Sequence, residues 1–174
     1  MTAFLEKVAA VPVVAILRGA GAGRFVEVGR VLYEGGVRAI EVTLTSEGAL
    51  EAFARLGEEL PTDALLGVGT VRSVADAERA QAAGATYLIA PDFRAEVVAW
   101  AVERELPVVP GALTPTEVAA AWAAGATAVK VFPVSAVGGP AYLKAVRAPL
   151  PEVPLVPTGG VRIDDVGAYL AAGA

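Results

Sequence analysis

Histidine and cysteine are both absent from the 174 residues, and lysine occurs only as Lys7, Lys130 and Lys144. These absences exclude a Cys/His zinc site, a disulfide framework, a Ser-His-Asp triad and any imidazole acid or base. Chemistry therefore falls to carboxylates, lysine, arginine, hydroxyls and backbone dipoles. A basic face is missing as well. The 19 acidic residues outnumber 14 basic ones for a net charge of −5, scattered along the chain, which gives no footprint for nucleic acid. Long apolar runs are also missing. The strongest, Val8 to Leu17, spans about ten residues, contains Pro12 and ends at Arg18, so it predicts neither a membrane span nor a cleavable signal. The expectation is a soluble cytoplasmic protein without nucleic-acid or membrane partners, and the absence of cysteine is compatible with a reducing compartment.

What is present is apolar material: 55% of the residues are hydrophobic, enough for the core of one domain of this length. It is concentrated in seven runs rich in Val, Ile and Leu, namely 11–18, 39–44, 65–71, 86–91, 107–113, 128–133 and 155–161. Each reads as a buried strand. Ala-rich segments with helical spacing lie between them. Thr114-Pro115-Thr116-Glu117 has the pattern of a capping box with proline at the first helical position, and Ser73 with Asp76 forms a looser version. Gly35-Gly36, Gly84-Ala85 and Gly125-Ala126 fit left-handed helix stops just before the next strand.

Strand starts fall 28, 26, 21, 21, 21 and 27 residues apart, a period suited to repeated βα units within one domain. Gly19-Ala20-Gly21-Ala22-Gly23 has the wrong spacing for a dinucleotide fingerprint, and no lysine follows a glycine as a P-loop requires. The pattern predicts an α/β fold, a (β/α)₈ TIM barrel over 1–174. Seven strands are visible and Ala171-Ala172-Gly173-Ala174 resembles the earlier helix stops, so an eighth strand is expected just beyond, with the last strand-helix unit outside this sequence.

Two charged residues interrupt the apolar runs. Lys130 lies in the sixth, where alternation groups it with Ala128 and Phe132 and leaves Val129 and Val131 for the helix layer, so Lys130 points into the barrel. Burial lowers a lysine pKa, and a partly neutral amine attacks carbonyl carbon. An internal ion pair is the alternative reading. Glu41, the only acidic residue within any of the seven runs, shares its face with Ala39, Thr43 and Thr45. An inward lysine and an inward carboxylate make a nucleophile and an acid/base across the barrel. Lys7 and Lys144 lie in helical segments and read as solvated. Arg18, Thr70 and Thr158-Gly159-Gly160 fall at C-terminal strand ends, the face that carries barrel active sites, and glycine amides there can approach an anion. Taken alone, Gly-Gly after a strand reads more often as a plain turn than as an anion site, and Arg18 alone also reads as a rim ion pair.

Six segments, 13–18, 35–43, 67–71, 110–117, 129–133 and 157–161, resemble in order those of the class I aldolases that cleave 2-keto-3-deoxy-6-phosphogluconate (KDPG) and 4-hydroxy-2-oxoglutarate (KHG). The resemblance implies that Lys130 forms a Schiff base with the substrate ketone and that Glu41 shuttles protons through water. The products would be pyruvate with glyceraldehyde 3-phosphate, or with glyoxylate from the second substrate. It further implies Thr70 at the substrate carboxylate, Phe132 along the pyruvyl part, Pro91 shaping the pocket, Thr158 at substrate hydroxyls, and Gly159 and Gly160 at phosphate. One branch of the family has arginine where this chain has Thr45. Arg18 at the end of the first strand is the implied substitute. No metal or other cofactor is implied, the partner is a small keto-acid phosphosugar, and the assembly is a homotrimer. The competing readings are a phosphosugar isomerase or epimerase on the same barrel, and a non-catalytic phosphate-ligand binder.

Overall fold

The computed structural model describes residues 3–174, so the first two residues of the expected domain lie outside the described residues. The chain alternates strand and helix: α1 (Ala3–Ala10), β1 (Val14–Leu17), α2 (Phe25–Glu34), β2 (Ala39–Thr43), α3 (Ala49–Glu59), β3 (Leu65–Gly69), α4 (Val74–Ala82), β4 (Tyr87–Ile89) and α5 (Ala95–Glu103). It continues through β5 (Val108–Val109), β6 (Gly111–Ala112), α6 (Pro115–Ala123), β7 (Val129–Val131), α7 (Pro140–Arg147), β8 (Leu155–Pro157) and α8 (Val166–Ala171). Every strand pair is parallel, in the order β1-β2-β3-β4-β5 and β6-β7-β8. This is the βα order of the expected (β/α)₈ barrel.

All seven expected strands are present. The fifth is split at Pro110: its first half pairs with β4 and its second with β7. The amide of Lys130 still bonds the Pro110 carbonyl at 2.9 Å, and Thr127 N–H bonds the Val108 carbonyl at 2.9 Å, so the two sheets meet along this one segment. The strands are also shorter than the apolar runs. Arg18, Thr70, Pro91, Leu113, Phe132 and Thr158 all leave the ladder at its C-terminal end, where the chain turns outward to form the mouth.

Three apolar clusters follow from strand alternation. The outward faces of β1 to β5 pack on α2 to α5 through Ile40, Val42, Leu56, Val68 and Leu88. Val129, Val131 and Leu155 pack on α6 to α8. The inward faces form the third cluster, with Ala39, Leu65, Tyr87, Ile89, Val109 and Ala128, closed from below by Phe4 of α1. Helix ends follow the expected chemistry: Thr114 and Glu117 form a reciprocal capping box, and the Ser73 hydroxyl accepts from the Asp76 amide at 3.1 Å. At Gly35-Gly36 the left-handed residue is Gly36, with φ 98°, and Gly84 and Gly125 match it at 94° and 96°. Among the described residues no helix is long and apolar enough to cross a membrane.

Candidate active site

Inward-facing positions on adjacent strands line up in rows. One runs Ile16, Glu41, Gly67, Tyr87 from β1 to β4. Another links Gly111, Lys130 and Val156. A row made of glycine leaves room that its neighbours occupy. A Cβ on Gly69 would lie 2.7 Å from Oε1 of Glu41, so the Glu41 carboxyl rests against β3 because nothing projects from that position.

Glu41 is 1% exposed and Lys130 6%. They belong to a short list of buried polar side chains, with Thr43 and Ser46, and both line a cavity of about 850 Å³. That cavity extends from the barrel interior to β1 and β8, the outer strands of their sheets. Among the described residues no ion pair within 4.0 Å joins Glu41 to Lys130, and Oε2 of Glu41 is buried without a hydrogen-bond partner. The Lys130 ammonium position lies 5.1 Å from the centre of the Phe132 ring.

Desolvation governs both groups. Burial raises the Glu41 pKa, against the opposing pull of Lys130 and Arg18. Burial lowers the Lys130 pKa, opposed by Glu41 and assisted by Arg18. Each is thus pushed toward its neutral form, an amine that can attack carbonyl carbon beside a carboxylic acid that can give up a proton. A structural ion pair would show the opposite: close contact and both charges favoured.

Around this pair the mouth residues divide. Arg18, exposed at the end of β1, directs a guanidinium nitrogen to the Thr70 hydroxyl at 3.5 Å, a weak contact that brings these two mouth residues together. Thr70 itself has φ 64°. A β-branched residue in the left-handed region is strained, and such strain clusters at functional sites. Phe132, Thr158, Gly159 and Gly160 line the cavity with Arg18, Glu41 and Lys130, while Thr70 and Pro91 stand outside its wall. The Pro91 carbonyl lies where a Cβ on Gly111 would come within 2.2 Å, so Pro91 is packed against the β5–β6 segment. Gly159 and Gly160 have φ 89° and 74°, a left-handed conformation that favours glycine in this turn after β8. Lys7 and Lys144 are exposed on α1 and α7. Among the described residues no cluster of three or more Asp or Glu could hold a metal.

Two polar groups escaped the sequence reading. Ser135 follows β7, and its Oγ lies 2.1 Å from where a Cβ on Gly160 would be, placing a hydroxyl beside the glycine turn. Ser46 accepts from the Gly19 amide at 3.2 Å and shares a 3.3 Å hydrogen bond with Thr43, tying the ends of β1 and β2 together. The Thr-x-x-Ser spacing at 43–46 was the available signal for the second; Ser135 carried none.

The sequence model of the family described as KDPG and KHG aldolase matches residues 2–174. A 2-dehydro-3-deoxy-phosphogluconate aldolase of Treponema pallidum is 40% identical over 167 residues, 96% of this chain and 78% of the relative. One of Pseudomonas aeruginosa is 37% identical over 140 residues, 80% of this chain but only 63% of the relative. A solved KDPG aldolase from Legionella pneumophila, with pyruvate captured as a covalent carbinolamine intermediate, is 30% identical with a TM-score of 0.87, covering 94% of this chain and 79% of that one.

Proposed function

The chain belongs to the KDPG and KHG aldolase family, and from that membership we propose that it is a class I aldolase releasing pyruvate from 2-dehydro-3-deoxy-6-phosphogluconate and from 4-hydroxy-2-oxoglutarate. The observation that carries the reading is the buried, unbridged pair of Lys130 and Glu41 facing one cavity. Nζ of Lys130 attacks the C2 ketone to give a carbinolamine. Loss of water, with a proton delivered from the Glu41 carboxyl, leaves an iminium. Glu41, now a carboxylate, takes the C4 hydroxyl proton through a water molecule. As the C3–C4 bond breaks, its electron pair flows into the iminium, and the aldehyde departs. The remaining enamine is protonated at C3, and hydrolysis returns pyruvate and the free amine.

Thr70 and Arg18 supply the hydroxyl and charge that hold the keto-acid carboxylate, Phe132 packs along the pyruvyl portion, and Pro91 shapes the pocket through the β5–β6 segment. Thr158 meets substrate hydroxyls, and the amides of Gly159 and Gly160 receive the phosphate. Residues 1–174 belong to one barrel domain, in the cytoplasm, within a homotrimer. The last two statements rest on the family resemblance and are checked by light scattering and by fractionation of the source cells.

Borohydride reduction in the presence of pyruvate tests the chemistry. The expected result is a carboxyethyl adduct on the Lys130 peptide, with pyruvate release from the phosphosugar acid followed by coupled lactate dehydrogenase. Turnover with Lys130 unmodified would overturn the aldolase reading and favour an isomerase using Glu41 as its base. Binding without pyruvate release would favour a phosphate-ligand binder.

A further inference from the structure

Beneath the Lys130–Glu41 pair lies a second buried polar group that the mechanism above does not use. Tyr87 on β4 is 0% exposed, and its hydroxyl, like Oε2 of Glu41, has no hydrogen-bond partner among the described residues. A buried donor and a buried acceptor left unmade are each costly. The two are not scattered at random: Glu41, Gly67 and Tyr87 occupy one row across β2, β3 and β4.

The middle member of that row explains the geometry. A Cβ on Gly67 would fall 2.3 Å from Cε2 and Cζ of Tyr87, so the ring lies across β3 with its hydroxyl-bearing end over that strand. Phe4 braces the ring from below, centroids 5.0 Å apart at 45°. The Glu41 carboxyl leans over the next inward glycine, Gly69. A strand without inward side chains here lets groups from its two neighbours reach toward each other. The Tyr87 hydroxyl is held well above its ordinary pKa, first by burial and then by the charge of Glu41, so it remains protonated and a donor.

We propose that Tyr87 is a positioning residue of the aldolase site: its hydroxyl donates to Oε2 of Glu41 through one buried water, aiming the carboxyl and favouring its charged form. Resting on the aldolase reading, this assigns Tyr87 a role through Glu41 rather than through substrate. The groups facing Glu41 are then Arg18 from the end of β1, Lys130 from β7 and Tyr87 from β4, while β3 presents only Gly67 and Gly69. Burial opposes all three.

The test is Tyr87→Phe, which keeps the ring and removes the donor, read by proton–deuterium exchange of the pyruvate methyl at saturating pyruvate. Exchange requires Glu41 as carboxylate to take a methyl proton while the C–H pair flows into the imine. A lost donor raises the Glu41 pKa, so the acid limb of the exchange profile should move up by about one pH unit. The equilibrium yield of borohydride-trapped imine should stay within about twofold. Tyr87→Leu, lacking the same hydroxyl, should show the same displaced limb despite lower stability, and serves where the phenylalanine variant folds poorly. An acid limb unmoved in either folded variant overturns the role of Tyr87 alone. Absence of a trapped adduct in the unaltered protein overturns the aldolase reading, and this inference with it.

Discussion

Lys130 and Lys144 differ in one physical respect, access to water. The first is buried on an inward strand face and the second exposed on α7. Lys130→Ala should abolish pyruvate release, whereas Lys144→Ala should leave kcat/KM within about threefold, measured by the coupled assay; equal losses would mean that the nucleophile is misassigned. Glu41→Gln should still form a trappable imine while slowing proton transfer by about 10²–10⁴. The pH dependence has a defined sign. Because burial lowers the Lys130 pKa, the neutral amine is available at lower pH than for a solvated lysine, and the midpoint of imine formation should lie below the ordinary value of about 10.4. A pH series of trapping yields at short times reads it. Lys130 and Glu41 were legible in the sequence because a charge inside an apolar run stands out. Tyr87 was not, since an aromatic residue in a strand is ordinary core, and its hydroxyl acquires meaning only when Gly67 clears a path for the ring.

Secondary elements were legible wherever local chemistry sets them. The capping box at Thr114 and the glycine stops at Gly84 and Gly125 formed as their residue types require. Thr114→Ala should therefore cost about 1 kcal/mol in chemical denaturation, since the cap satisfies an otherwise free amide. Gly67→Ala belongs to a different class. Its Cβ would strike the Tyr87 ring at 2.3 Å in a closed interior, so a loss of about 1–3 kcal/mol is expected, and full wild-type stability would contradict the described ring position. The break between β5 and β6 was not legible. Proline has no N–H to donate, but whether the ladder passes it depends on which strand lies on each side. Here Val108 and Val109 pair with β4, and Gly111 and Ala112 with β7. The strand ends were overextended for a related reason: mouth residues such as Arg18, Thr70 and Thr158 adjoin the apolar runs but lie past the last paired residue of their strands.

For the molecule as a whole, the repeat period predicted a parallel βα barrel and the structure has that order, with helices outside and the third cluster inside. Tilt and register, which decide how the sheets meet, come from contacts between distant strands and leave no local mark in sequence. The third cluster joins Ala39, Leu65, Tyr87 and Val109 of the first sheet to Ala128 before β7, so the inner core is shared between the two sheets. Thermal unfolding should then follow one cooperative transition, with near- and far-ultraviolet circular dichroism superimposing; two separated transitions would contradict a single folding unit.

The bare inner edge of β3 also limits how this scaffold can be re-engineered. Pocket enlargement usually proceeds by trimming bulky positions, and at 67 and 69 there is nothing to trim, while any added atom collides with Tyr87 or Glu41. Libraries seeking altered aldehyde scope would do best to hold both codons constant and diversify position 161 at the rim instead, where the side chain is 38% exposed.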